Sequence, residues 1–157
     1  MPMTVKKKAG ARVRLSTPGP AQSNNAKRSP ASRWTKKLVE GGFTPISNFF
    51  LEYGCELKPE LTPGEALFII HLMFFKWDEQ MPWPGFKTIA KHMGIGHAQA
   101  RKLARQLDAK KYLVRHIRRS LPNEFDLQPL FVALEKIRDK KVAEQKAAEA
   151  MRRPRRI

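Results

Sequence analysis

The sequence predicts a mainly α-helical domain with one small β-hairpin. Three observations carry this expectation. Apolar residues recur at helical spacing in successive stretches between residues 44 and 137. Two of those stretches, within Phe86–Leu107, are separated only by a glycine-centred turn. Directly behind them, Tyr112–Arg119 and Glu124–Leu127 flank Ser120-Leu121-Pro122-Asn123, a segment with the turn chemistry of a hairpin.

In chain order, the first part is polar. Residues 1–33 show no hydrophobic periodicity and are rich in Pro, Ser, Ala and basic residues. Such a stretch cannot bury enough apolar surface to offset its ordering entropy, and it is expected to be a disordered basic arm. Its expected role is non-specific attraction to phosphate, with insertion into a groove as the alternative. Order is expected from Trp34, with a single domain over 34–137. Thr44-Pro45 reads as an N-cap and first-turn proline, opening a helix through Tyr53 with Ile46, Phe49, Phe50 and Tyr53 on its inner side. Thr62-Pro63-Gly64-Glu65 has the spacing of a capping box, in which the two side chains satisfy each other's free backbone donors. The helix that follows, to Trp77, is apolar nearly all round and belongs in the middle of a small core. In the loop behind it, Trp83 lies between Pro82 and Pro84. Trp83 is expected to cover the core, with base stacking as the alternative.

Phe86–Leu107 reads FKTIAKHMGIGHAQARKLARQL. Ile89, Ala90 and Met93 form the inner face of a first helix, Ile95 fills the corner, and Ala100, Leu103 and Leu107 form the inner face of a second. A small residue at Ala90 lets the helices cross closely, and Gly94 accepts the positive φ that the turn demands. This is a helix-turn-helix pattern, which points to duplex DNA. A hairpin placed directly behind it makes the arrangement a winged helix-turn-helix. Phe125 and Leu127 are expected in the core. Gln128-Pro129 opens a last helix that buries Leu130, Phe131, Leu134 and Ile137. Residues 138–157 are expected to be a basic helical extension or tail, ended by Pro154.

The distribution of charge sharpens the expectation. The chain carries a formal charge of +17. Met1–Lys37 holds ten Lys and Arg and no acid, and His97–Arg119 nets +7, whereas Leu38–Gly96 nets −3. Charge concentrated on one helix, one hairpin and two ends suits a polyanionic partner. The single cysteine, Cys55, excludes an internal disulfide and a cysteine-based zinc site and suggests an intracellular protein. A polar stretch follows Lys6–Lys8, so no signal peptide is expected. The longest apolar run, Ala66–Phe75, is interrupted by His71 and is too short to span a bilayer, so no membrane association is expected. The expected location is cytoplasmic, with the nucleoid.

On the second motif helix, the side opposite the buried face presents Ala98, Arg101, Lys102 and Arg105, flanked by His97, Gln99 and Gln106. The N-terminal half of such a helix meets base edges in the major groove, where Arg pairs with guanine and Gln with adenine. His97, Ala98, Gln99, Arg101 and Lys102 are therefore the candidates for base readout. Arg105 lies further along and is a candidate for phosphate, as are Lys87 and Lys91 on the first helix, which otherwise serve as solubilising charges. The hairpin adds Arg115, His116, Arg118 and Arg119 as phosphate contacts. Its short turn suggests backbone contact more than deep insertion. No catalytic constellation, metal site or cofactor is expected: the four histidines lack metal-like spacing, and Gly94-Ile95-Gly96 lacks the preceding strand of a phosphate-binding loop.

The segments TPGEALFIIHLMFFKW, PGFKTIAKHMGIGHAQARKLARQL, KKYLVRHIRR and NEFDLQPLF resemble the winged helix-turn-helix domains of phage and plasmid replication initiation proteins and small plasmid-borne regulators. The resemblance covers about Gly41–Glu135 and implies that fold and duplex binding. Gly96 stands where such domains often carry a capping Ser or Thr, and Glu124 where they often carry a basic residue. The leading expectation is a non-enzymatic, sequence-specific double-stranded DNA-binding protein that regulates transcription. The alternatives are a replication-initiation or mobile-element accessory factor, and a basic architectural DNA-binding protein with little sequence preference. A homodimer through the C-terminal helix, and contact with replication or transcription machinery, are the protein partners these readings imply.

Overall fold

The structure, a computed structural model, describes residues 29–152. The described chain divides after Phe43 into two units, residues 29–43 and 44–152. In the first, α1 (Pro30–Arg33) and α2 (Lys36–Val39) are single-turn helices capped by the hydroxyls of Ser29 and Thr35. Neither buries a residue. Most of the expected arm, residues 1–28, lies outside the described residues; its last four are helical. The division falls after Phe43, C-terminal of the expected boundary at 33/34.

The second unit holds α3 (Asn48–Tyr53), a 3₁₀ turn at Gly54–Glu56, α4 (Pro63–Phe74), α5 (Phe86–Met93), α6 (His97–Ala109), β1 (Val114–His116), β2 (Glu124–Asp126) and α7 (Gln128–Arg152). This is a mainly α architecture with a two-stranded wing behind a helix-turn-helix. One expected boundary is corrected. The first helix of this unit starts at Asn48 with Ser47 at its N-cap, and Thr44-Pro45 is irregular chain ahead of it. An X-Pro pair favours extended backbone at the residue before proline, and Ile46 packs on the core from outside the helix.

The capping box at α4 forms as expected. Thr62 Oγ1 accepts from Glu65 N at 3.2 Å, and Glu65 Oε2 accepts from Thr62 N at 2.8 Å. The helix ends at Phe74, short of Trp77, which is exposed. Phe68, Ile69 and Leu72 from α4 meet Ile89 and Ala90 from α5, and Ala100, Leu103, Ala104 and Leu107 from α6, in one core. Each large apolar side chain taken fully out of water contributes about 1.5–3 kcal/mol, and this cluster fixes the crossing of the three helices. Gly94 closes α5 at φ 67°, ψ 32°, with Ile95 N donating to Ala90 O at 3.0 Å. This left-handed cap turns the chain into α6.

The hairpin pairs Val114 with Asp126, Arg115 with Phe125 and His116 with Glu124. Phe125 is fully buried, edge-on to Phe68 and Phe86. Its N–H donates to Pro82 O at 2.9 Å, so the loop before α5 runs beside β2. Pro82 and Pro84 lack the donors to extend that pairing into a ladder. In this loop Pro82 and Pro84 are buried and Trp83 is 59% exposed. The expectation that Trp83 covers the core is therefore corrected: alternate residues of extended chain face opposite sides, and the prolines take the inner one.

Asp126 Oδ1 accepts from Gln128 N at 2.8 Å at the start of α7. Leu130 is buried, and Phe131, Leu134 and Ile137 pack against the core. The helix then continues unbroken past residue 137. Lys141 Nζ lies 2.9 Å from Glu56 Oε1 and 4.5 Å from the centre of the Tyr53 ring, which ties the helix to α3 and its 3₁₀ turn. Pro154 lies outside the described residues.

Candidate nucleic-acid interface

The amphipathic split of α6 sets out the candidate surface. Its inner face is Ala100, Leu103, Ala104 and Leu107. His97, Ala98, Gln99, Arg101, Lys102 and Arg105 are all exposed, and Gln106 is half-buried at the edge. Gly96 stands at the N-cap with no side-chain cap, leaving backbone N–H groups of the first turn free to meet an anion. Lys87 and Lys91 are exposed on α5.

Arg101 has a specific seat. Its guanidinium carbon lies 5.9 Å from the centre of the Phe86 ring, at the outer limit of a cation–π contact. Phe86 also meets the His97 ring at 6.2 Å and Phe125 at 5.6 Å. One aromatic thus joins the start of α5, the start of α6 and the base of the wing. The sequence placed Phe86 at the head of the motif without showing this role, because it depends on where β2 packs.

The wing separates the four residues expected to act together. Directly paired residues of antiparallel strands share a face, so Arg115 lies on the face of Phe125 and is half-buried, while His116 lies on the other face and is exposed. Arg119 is exposed. Arg118 is committed within the wing: its Nε donates to Pro122 O at 2.8 Å and its Nη1 pairs with Glu124 Oε1 at 2.9 Å. Glu124, where the resemblance leads one to expect a basic residue, is the partner that holds it.

Pairing sorts the cations into two groups. Lys110, Arg118 and Lys141 sit against Glu65, Glu124 and Glu56. Among the described residues, no carboxylate lies within ion-pair distance of Lys87, Lys91, Arg101, Lys102, Arg105, Arg115 or Arg119. Unpaired cations thus stand on α5, the outer face of α6 and the wing; Lys36, Lys37, Lys111 and Lys136 are likewise outside the ion pairs. Among the described residues no cluster of three or more His, Cys, Asp or Glu is placed to hold a metal. No helix among them is long and apolar enough to cross a membrane.

Residues 60–113, from the turn before α4 to the entry of the wing, match the family model of a helix-turn-helix domain. The segment is similar to that family, and within it α5, the Gly94 turn and α6 form a helix-turn-helix. The fold extends beyond the matched segment. The N-terminal domain of the DnaD protein from Geobacillus kaustophilus HTA426 superposes with a TM-score of 0.56 at 20% identity, over 71% of this chain and 93% of that one. At that identity the likeness is one of fold. No curated protein matches the chain.

Proposed function

We propose that this helix-turn-helix protein is a non-enzymatic, sequence-specific binder of double-stranded DNA that regulates transcription. His97, Ala98, Gln99, Arg101 and Lys102 read base edges in the major groove. Arg105, Lys87, Lys91, Arg115, His116 and Arg119 take phosphates. The observation that carries this reading is the outer face of α6, where Arg101, Lys102 and Arg105 are exposed and, among the described residues, have no carboxylate within ion-pair distance. Arg118 is reassigned from phosphate contact to holding the shape of the wing.

A second reading, a replication-initiation or mobile-element accessory factor, would recruit other proteins through the exposed end of α7. Its last residues, 146–152, are exposed and carry Lys146, Glu149 and Arg152, a surface suited to recruitment. The same helix offers a route to a homodimer. Selection of bound sequences from a random duplex pool at moderate salt separates the readings. An enriched palindrome is expected of a dimeric regulator, and direct repeats of an initiator. No enrichment would leave only an architectural role and would overturn sequence-specific readout.

A further inference from the structure

The tip of the wing carries two exposed apolar side chains on a basic hairpin. Ile117 is 75% and Leu121 59% exposed, while Phe125 and Leu127 on the returning strand are buried. The tip is also braced. The two bonds from Arg118, to Pro122 O and to Glu124, cross the turn between Ile117 and Leu121 and its returning strand. Ser120 takes the left-handed conformation, φ 60°, that closes it. Arg118 is thereby engaged within the wing, and the carboxylate of Glu124 is neutralised by it. The tip thus offers two exposed apolar side chains on a turn held by Arg118, bordered in sequence by His116 and Arg119, both exposed.

We propose that this tip enters the minor groove of duplex DNA, where Ile117 and Leu121 press against the bases as a wedge that partly unstacks one step. Arg115 and Arg119 hold the phosphates on either side. The proposal rests on the duplex-binding reading above and deepens it. Charge selects the occupant: the cations around the tip match the phosphate walls of the groove, and the neutralised Glu124 adds no repulsion. The groove is narrow, about 6 Å, and small aliphatic side chains on a hairpin turn suit it. Wedges of this chemistry bend duplexes toward the major groove by roughly 20–90°. Such a bend brings the flanking duplex toward the cations of α6.

The test uses the full chain and a short duplex enriched in the selection above, or a mixed-sequence duplex if none is enriched. The duplex carries 2-aminopurine at successive positions and, in a second preparation, end labels that report bending by energy transfer. Wild type is compared with Ile117→Ser/Leu121→Ser and with Arg119→Ala. Wild type is expected to brighten 2-aminopurine at one step and to bend the duplex. The double variant is expected to lose both signals and bind roughly three- to tenfold more weakly. Its salt dependence should be unchanged, because no phosphate contact is removed, whereas Arg119→Ala should flatten the log–log slope by about 1. Both replaced side chains are exposed, so the melting temperature should hold and a folding defect would be visible separately. If wild type binds without brightening or bending, or the double variant keeps both, the wedge is overturned while duplex binding stands. If wild type binds no duplex, the proposed function falls and the wedge with it.

Discussion

Lys110, at the end of α6, places its Nζ 2.7 Å from Oε2 of Glu65, a fully buried carboxylate in the first turn of α4. The same ammonium donates to Glu60 O at 2.6 Å. Glu65 thus serves two structures at once: it closes the capping box of α4 and receives the cation that locks the far end of α6. Removing one member of a buried ion pair leaves an uncompensated charge. Lys110→Met is therefore expected to cost about 3 kcal/mol in urea unfolding. Glu65→Gln keeps the acceptor for Thr62 N and removes the buried charge, so it should cost less. Unchanged unfolding of Lys110→Met would show that the pair does not hold the helices together.

Gly94 and Gly96 stand two residues apart, and a Cβ at either would meet nothing within 4 Å. They differ in backbone. Gly94 has φ 67°, whereas Gly96 is extended at φ −71°. Gly94→Ala is expected to cost about 1–2 kcal/mol through backbone strain alone. Gly96→Ser should instead gain a few tenths of a kcal/mol, roughly, by capping α6. Thermal melts of the two variants check both signs, and equal effects would contradict the turn geometry.

The sorting of cations gives a salt prediction. If roughly six to eight phosphates are neutralised, the log–log slope of affinity against salt should be on the order of −5 to −7. Arg115→Ala should flatten it by about 1, while Arg118→Ala should leave it unchanged because its guanidinium is held by Glu124. Anisotropy titrations across a salt series measure this. A slope change from Arg118→Ala as large as that from Arg115→Ala would mean that Arg118 leaves Glu124 for phosphate.

Two groups set an alkaline limit to stability. The Tyr112 hydroxyl donates to Pro59 O at 2.6 Å; burial, and then the nearby Glu65 carboxylate, push its pKa above the ordinary value near 10. The pKa of Lys141 is raised by its hydrogen bond to Glu56. In both cases the proton is held more tightly in the folded chain. The stabilisation is complete below the unfolded pKa and is lost as pH rises through the folded one. Unfolding free energy should therefore fall above about pH 10. Tyr112→Phe should lose about 1 kcal/mol near neutrality, from the missing hydrogen bond, yet show a shallower alkaline decline. A decline as steep as wild type would exclude Tyr112 as a cause.

The features legible in the sequence are those set by local chemistry. The Thr62/Glu65 box, the Gly94 turn and the inner face of α6 each depend on residues within a turn or two of one another. The exposure of His97, Ala98, Gln99, Arg101, Lys102 and Arg105 follows from the same periodicity. What was not legible depends on contacts distant in sequence. Glu65 gives no sign of being buried until Lys110, at the other end of the motif, reaches it. Trp83 faces outward because Pro82 lies against β2, and the Arg118 guanidinium is engaged by a glutamate across the turn. A helical extension past Ile137 was legible, but its anchoring through Lys141 to Tyr53 and Glu56 was not, because those partners are distant in sequence.

The central claim is that the outer face of α6 reads bases in the major groove, and Arg101, seated over Phe86, is its sharpest point. The most direct measurement is the affinity of wild type and Arg101→Ala for a selected duplex and for a random duplex at one salt concentration. Arg101→Ala is expected to lose roughly 1–3 kcal/mol on the selected duplex and far less on the random one. An equal loss on both would contradict base readout by α6.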